Sequence, residues 1–344
     1  MEKRAVYLIT GITGQIGGLL AKELMRSDEY LRGEIDVIGL VRDVSRLDAD
    51  ILTMGKDSFS WVEGDCRTAK AACGEALNRS RAQKKYIIHC AAPTASAYMV
   101  FRPVETADSI VLGTWNMLEL AKDYKIDGMV YLSSMEVYGQ VADLGRLRRE
   151  EELGNIPLET SRSCYPMAKR MAEFYCHSYY QEYGVPVKTA RLAQTFGKGV
   201  LAGDNRVYMQ FARAVKEKRD IVLRTKGLSM GNYCASEDVI NAIYTILKRG
   251  KDGEVYNVTN ETNTMTIREM AELVALVVAK GEIGVRTEVE DGSGTGYAPD
   301  TNLRMSSEKL RKLGWKPTKK LVEMYVDVMH EISAFQQGKR LSQS

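Results

Sequence analysis

Two short clusters carry residue types able to move a proton on and off an alcohol: Ser133-Ser134-Met135-Glu136 and, after a polar loop, Tyr165-Pro166-Met167-Ala168-Lys169. The Tyr165 to Lys169 spacing puts a phenol and an ammonium on one helix face, one turn apart. With a serine hydroxyl nearby, such a set can hold an alcohol oxygen, take its proton and stabilise the anion left behind. The chemistry implied is hydride transfer at a hydroxyl-bearing carbon. Spacing alone is not specific, because the chain has 18 tyrosines and a second Tyr-x-x-x-Lys at Tyr244 and Lys248. That second copy lies on an apolar helical run with no serine-rich strand end before it and reads as structural.

The elements that position these groups follow from hydrophobic patterning. The run up to Leu132 reads as a buried strand ending in a hydroxyl-rich turn, and residues from Ser163 onward as a helix. At the N-terminus a β-rich run through Ile9 leads into Thr10-Gly11-Ile12-Thr13-Gly14-Gln15-Ile16-Gly17, then an amphipathic helix through Leu19, Leu20, Leu24 and Met25. A glycine-rich turn between strand and helix lets backbone approach a pyrophosphate and aims free N–H groups at it. Gly11, Thr13, Gly14, Gln15, Ile16 and Gly17 are therefore expected to hold a dinucleotide; the alternative is a plain tight turn.

The second strand ends at Val41, where a carboxylate for a ribose 2'-hydroxyl would stand, and Arg42 and Arg46 follow. A guanidinium pairs with a 2'-phosphate, so NADP is expected over NAD, with NAD possible. The competing reading makes Arg42 a solvated surface residue. A third strand leads to Gly64-Asp65-Cys66, with the Asp65 carboxylate expected near an adenine amino group. A fourth ends in His89-Cys90-Ala91-Ala92, where the small Ala91 and Ala92 leave room for the cofactor and His89 reads as a core residue. Asn116, inside a helix over 104–124, is a candidate for a water-mediated link to Lys169. Strands alternating with helices over the first 190 or so residues predict a doubly wound parallel sheet with ligands at its carboxyl edge.

Composition narrows the function classes. Hydrophobic residues make up 44% and charged residues 27% of 344, and the net charge is only +3. The charge is unclustered, which argues against nucleic acid or membrane-surface partners. Six cysteines occur without a Cys-x-x-Cys pair or partnering histidines, so no structural zinc or other metal is expected, and the thiols read as reduced in a cytoplasmic protein. No apolar run is long enough to span a bilayer.

Thr10-Gly11-x-x-Gly14-x-x-Gly17, Gly64-Asp65, Cys90-Ala91-Ala92, Ser133-Ser134-x-Glu136-Val137-Tyr138-Gly139 and Tyr165-x-x-x-Lys169 together resemble the extended short-chain dehydrogenase/reductase superfamily. The resemblance is greatest to its NAD(P)-dependent nucleotide-sugar epimerase/dehydratase branch, and it extends to Gly253-Glu254-Val255-Tyr256-Asn257-Val258 and Leu313-Gly314-Trp315-Lys316-Pro317. It implies an α/β fold: a Rossmann-type doubly wound parallel sheet over residues 1–192, completed by segments near 235–260, and a smaller C-terminal α/β substrate domain, mainly 193–344. It implies that Tyr165 is the acid/base, that Lys169 lowers its pKa and holds the nicotinamide ribose, and that Ser134 hydrogen-bonds the reacting oxygen. Glu136 then lies beside the sugar as a candidate base, the alternative being a hydrogen bond to its own turn. Met135 stands where dehydratases of this branch often have a proton-donating aspartate, which leaves epimerisation and decarboxylation less hindered than dehydration.

The family's Arg-x-x-Asn-x-Tyr-Gly-Pro pattern reads Arg191-Leu192-Ala193-Gln194-Thr195-Phe196-Gly197-Lys198 here, so Met135, Gln194 and Lys198 join Ser134 as expected substrate contacts. A usual Arg-Asp-Phe is Gly231-Asn232-Tyr233, and no second clamping arginine stands near Ala298-Pro299-Asp300; Lys198, Arg206, Arg224, Lys226 and Arg304 are possible replacements. The branch commonly dimerises through its two long helices, here 104–124 and 163–183, which implies a homodimer. The expected activity is oxidation of a nucleotide sugar at C4 by bound NAD(P), followed by epimerisation, dehydration or decarboxylation of the 4-keto sugar. Two alternatives remain: an NADPH-dependent keto-sugar reductase, favoured by Arg42 and Met135, and a non-catalytic dinucleotide sensor.

Overall fold

The computed structural model describes residues 3–142, 145–289 and 301–341. Its centre is a seven-stranded parallel sheet built from β1 (Ala5–Thr10), β2 (Ile35–Val41), β3 (Phe59–Glu63), β4 (Lys84–His89), β5 (Gly128–Ser134), β6 (Val187–Leu192) and, from much later in the chain, β10 (Val255–Val258). The order is β10-β6-β5-β4-β1-β2-β3. A strand buried on both faces has no polar alternation to keep, which is why β1 reads Ala-Val-Tyr-Leu-Ile-Thr and is buried throughout. Strand order reverses between β1 and β4, where Thr10 pairs with His89. The crevice outside their carboxyl ends is where such sheets take ligands.

Helices cover both faces. On one lie α1 (Gln15–Arg26) and α6 (Ser236–Arg249), whose Leu20, Leu24, Val239 and Ile243 share a cluster with Ile9 and Val130. On the other lie α2 (Lys70–Arg79), α3 (Pro103–Asp123) and α4 (Cys164–Tyr183), with Leu77, Met117 and Ala172 packed on Leu8, Ile87 and Met129. Fully burying a side chain of this kind contributes about 2 kcal/mol, and truncating Leu20 to Ala would cost about 2–5 kcal/mol. Pro103 starts α3, where its missing N–H costs nothing. Gly184, at φ 69°, ends α4 in the left-handed conformation. Both long helices fall within a residue of their sequence-based limits.

A third cluster gathers residues C-terminal to β6. It joins β7 (Gln194–Phe196), α5 (Val207–Lys216), β8 (Ile221–Leu223), β9 (Met230–Ala235), β11 (Thr264–Thr266), β12 (Val285–Thr287) and α7 (Leu321–Leu341) around Phe196, which stacks on Tyr208 at 4.3 Å between ring centroids. Two small sheets, β11-β9-β7 and β12-β8, belong to this region. α7 runs on through Leu341. Thr266 and Glu269 form the reciprocal capping box their spacing predicts. Ala298, Pro299 and Asp300 lie outside the described residues. Among the described residues no helix is long and apolar enough to cross a membrane.

Candidate active site

Ser134 is the last residue of β5, and Tyr165 and Lys169 occupy the first two turns of α4, which packs on that strand. All three groups therefore meet at the carboxyl edge of the sheet. Lys169 is almost fully buried; its Nζ donates to the Leu132 carbonyl at 2.6 Å and lies 4.8 Å from the Tyr131 ring centroid and 5.8 Å from that of Tyr165. Burial lowers the ammonium from its ordinary 10.5 to about 8, with Glu173 the largest opposing charge. Tyr165 is buried too, and burial followed by the Glu136 carboxylate pushes its phenol well above the usual range. The Ser134 hydroxyl, Arg162 and Arg206 pull it back. In the chain alone the phenol keeps its proton at neutral pH, and further positive charge beside it is what would make it a base.

Ser134 Oγ also accepts the Glu136 N–H at 3.2 Å, closing a short 3₁₀ turn over Met135–Tyr138. The Glu136 carboxylate does not turn back onto that backbone. It accepts from an Arg162 guanidinium nitrogen at 2.7 Å, so the simple turn-capping alternative does not describe its side chain. Met135 is partly buried against Val137, Tyr138, Leu303 and Met305. Sequence reasoning missed Arg162, and it also missed Glu173, although Glu173 follows Lys169 at the same four-residue helical spacing. Glu173 holds Arg191 in a buried ion pair beneath the site, and Ser133 Oγ donates to the same carboxylate.

The glycine-rich loop approaches the end of β4 closely. A Cβ on Gly11, at φ 69°, would stand 2.9 Å from Ala91 Cα, and one on Gly17 would stand 2.3 Å from the Gly11 carbonyl oxygen. α1 begins at Gly14 with no side-chain cap and no acid in its first turn, so the N–H groups of Gln15, Ile16 and Gly17 form an uncompensated positive end. These features fit a dinucleotide pyrophosphate. The Ile16 side chain packs into the core. Gln15 is tied by its amide: Nε2 donates to Ser236 Oγ at 2.9 Å and Oε1 accepts from Arg206 at 3.1 Å. Thr10 Oγ1 accepts the Ala91 N–H at 3.1 Å and contacts His89 Nδ1 at 2.7 Å. His89 Nε2 lies 3.3 Å from Thr114 Oγ1, and burial lowers the imidazole to about 3, so His89 is a neutral core residue as its sequence context predicts.

The adenosine-end expectations meet a more crowded geometry. Asp65 is held by Arg67, which donates from its backbone N and from Nε at 2.9 Å, and the guanidinium holds the carboxyl below its ordinary value. The Arg42 charge reaches Asp65 and Cys66, yet Arg42 itself is exposed and makes no ion pair or hydrogen bond among the described residues. Burial pushes the Cys66 thiol up to about 12, and its carbonyl accepts the Asn116 amide at 2.6 Å. The Asn116 amide nitrogen is thus tied to the turn after β3. Ala92 packs against the same face as Cys66.

The proposed phosphate-clamp replacements are mostly engaged elsewhere. Lys198 pairs with Glu237 at 2.6 Å and Arg224 with Glu288 at 2.7 Å, both near the surface. Gln194 is exposed at the start of β7. Asn232 is buried and structural, bonding Thr264 Oγ1 and the Met305 N–H. Arg206 reaches both the glycine loop, through Gln15, and the field of Tyr165, while Asp204 anchors it.

A family model described as the NAD dependent epimerase/dehydratase family matches residues 7–259. The human protein dTDP-D-glucose 4,6-dehydratase is 25% identical over 334 residues, covering 94% of this chain and 90% of that protein. UDP-glucuronic acid decarboxylase 6 of Arabidopsis thaliana is 29% identical over 317 residues, covering 92% and 85% respectively. Among solved structures, a dTDP-glucose 4,6-dehydratase from Bacillus anthracis in complex with NAD superimposes with a TM-score of 0.76 at 21% identity, covering 98% of each chain. At that identity the structural likeness is one of fold.

Proposed function

We propose a reaction for this chain from the premise that it belongs to the NAD dependent epimerase/dehydratase family and is an enzyme of that family: oxidation of a nucleoside diphosphate sugar at its C4 hydroxyl, then rearrangement of the 4-keto sugar at the neighbouring carbon. The observation that carries this reading is the convergence of Ser134, Tyr165 and Lys169 at one strand end, opposite the Gly11–Ala91 approach. A bound nicotinamide dinucleotide, held by the α1 N-terminus and the glycine loop, supplies the two-electron acceptor. Ser134 holds the C4 oxygen, Tyr165 takes its proton, and Lys169 stabilises the phenolate. Glu136, at the mouth of the same turn, serves the neighbouring carbon.

The nature of the rearrangement follows from Met135. A thioether cannot donate a proton to a departing hydroxyl, whereas a β-keto acid loses carbon dioxide with the ketone as electron sink. Decarboxylation and epimerisation therefore suit this site better than dehydration. Residues 1–192 with 235–260 are assigned to the dinucleotide, 193–344 mainly to the sugar nucleotide, and Arg206 to a phosphate of the bound ligands. The dinucleotide is NADP in this reading, because Arg42 at the end of β2 offers a guanidinium without a partner among the described residues. The exposed apolar faces of α3 and α4 suit a homodimer.

The test is to incubate the purified protein with UDP-glucuronic acid, UDP-glucose and dTDP-glucose separately and to identify products by NMR and mass spectrometry. Conversion of one of them, lost in Tyr165→Phe, supports the reading. Failure to convert any of the three, with NADPH instead consumed against a 4-keto sugar, moves the assignment to the reductase that Arg42 and Met135 also fit.

A further inference from the structure

Arg162 sits in the 3₁₀ turn Ser161–Ser163 that delivers the chain into α4, three residues before Tyr165. One guanidinium nitrogen donates to Glu136 Oε1 at 2.7 Å, and the guanidinium carbon lies 5.7 Å from the Tyr165 ring centroid. Its other terminal nitrogen, Nη1, is buried without an acceptor. About a third of each side chain of the pair is exposed. An ion pair a third exposed contributes little to stability, and an orphaned buried donor costs more than such a pair returns. The arrangement therefore calls for a reason in the chemistry.

We propose that Arg162 is a positioning residue of the active site, which holds the Glu136 carboxylate in one orientation at the mouth and shields Tyr165 from that carboxylate's negative charge. This rests on the reading of Tyr165 as the proton acceptor. Two adjacent acids-to-be are in conflict here. Every negative charge near the phenol opposes its ionisation, and Glu136 is the one that opposes it most. Removing Glu136 would free the phenol but lose the second base. Pairing Glu136 with a guanidinium keeps both, because the net charge of the pair is zero while the carboxylate keeps a second oxygen free for a ligand. The groups that face the phenol are Ser134, Glu136 and Tyr131 from β5 and its turn, Arg162 from the turn before α4, Lys169 from α4 and Arg206 from the loop before α5. Arg162 is the member of this set that bonds the Glu136 carboxylate.

The test compares wild type, Arg162→Gln and Arg162→Lys in turnover of UDP-glucuronic acid and dTDP-glucose from mildly acidic to alkaline pH, with melting temperature and dinucleotide affinity measured on each. Arg162→Gln is expected to fold and bind dinucleotide normally, to lose about 10–100-fold in kcat with little change in KM, and to show its acidic limb, the rise in turnover as Tyr165 ionises, displaced to higher pH. Arg162→Lys, which restores the charge, is expected to recover part of both. An Arg162→Gln enzyme with wild-type kcat and pH profile overturns the proposal, as does a loss confined to KM. If the wild type turns over neither sugar, the proposed reaction fails instead, and crystal structures decide: Glu136 in an unchanged orientation in Arg162→Gln overturns the positioning role, and a reoriented Glu136 supports it.

Discussion

Glu173 and Arg191 face each other across the base of the site, with Arg191 Nε at 2.9 Å from Glu173 Oε1 and a terminal nitrogen at 2.7 Å from Oε2. The side chains are 8% and 4% exposed. The carboxylate also accepts from Ser133, next to Ser134, and the guanidinium donates to the Glu150 carbonyl at 2.6 Å and to Tyr138 Oη at 3.3 Å. Tyr138 in turn donates to Asn257 of β10 at 2.9 Å. The pair thus ties α4 to β6, to the Ser133-Ser134 strand end and to the edge strand that the chain adds last.

Splitting this pair should be costly because either survivor is a buried, uncompensated charge. Arg191→Met, or Glu173→Leu, is expected to destabilise the fold by about 3–5 kcal/mol. Chemical denaturation measures it. Replacing both residues together should cost much less than the sum of the singles, since the double variant leaves no lone charge.

Tyr165→Phe keeps the ring packing and removes only the hydroxyl. Turnover is expected to fall about 10²–10⁴-fold while dinucleotide affinity and melting temperature stay near wild type. Steady-state kinetics beside a binding titration check it. A variant retaining more than a tenth of wild-type turnover would remove the phenol from the mechanism.

Much of this layout was legible in the residues. The parallel strands are continuous apolar runs because both faces are buried, and the glycine spacing at 11, 14 and 17 marks a turn that packing requires. Tyr165, Lys169 and Ser134 carried their own context. The electrostatic partners did not, because they come together only through the fold: Arg162 reaches Glu136 across 26 positions and Arg191 reaches Glu173 across the β6 register. The Asn116 partner was hidden for the same reason. A buried amide needs a partner, but which one depends on where the turn after β3 lies, and here it is the Cys66 carbonyl. Arg67 likewise claims Asp65 from two residues away, a local pairing that competes with an adenine contact.

Lys169 stands at a cost to stability. Burial lowers its folded pKa from 10.5 to about 8, so the unfolded chain binds the proton more tightly. The unfavourable contribution is therefore full below about pH 8 and is relieved as pH rises towards 10.5. The gap is worth roughly 3 kcal/mol, of which the Leu132 carbonyl, stripped of its donor, takes back about 1–2 kcal/mol. Lys169→Met should then be inactive yet more stable than wild type at pH 7 by about 1–2 kcal/mol. Urea titrations at neutral and alkaline pH should show that advantage shrinking as pH rises.

Arg42 is the simplest handle on the dinucleotide. Its guanidinium, without a partner among the described residues, lies at the end of β2 with Asp65 within its field. Arg42→Ala is expected to weaken NADPH binding about tenfold, about 1.4 kcal/mol, and to leave NADH binding nearly unchanged. Mass spectrometry of any dinucleotide released on denaturation gives an independent check, and retained NAD would count against the 2'-phosphate contact.

The outer faces of α3 and α4 raise the question of what covers them. Leu112 and Trp115 on α3, and Met167, Met171 and Phe174 on α4, are each more than a third exposed, and Phe174 reaches 60%. Met167, Met171 and Phe174 recur at helical spacing, so they form one stripe, and Tyr179 Oη bonds Glu119 at 2.6 Å to lock the two helices side by side. A contiguous apolar stripe on paired helices is what a second copy would bury in a self-complementary four-helix contact. Phe174→Glu would bring carboxylates into that contact from both copies, and light scattering should then fall from twice the 38.5 kDa chain mass to that of one chain. Because Met167 lies on the turn of α4 that carries Tyr165, loss of the contact should also loosen the catalytic end of the helix and lower turnover. A wild-type protein that runs as a monomer would show instead that these side chains are simply exposed.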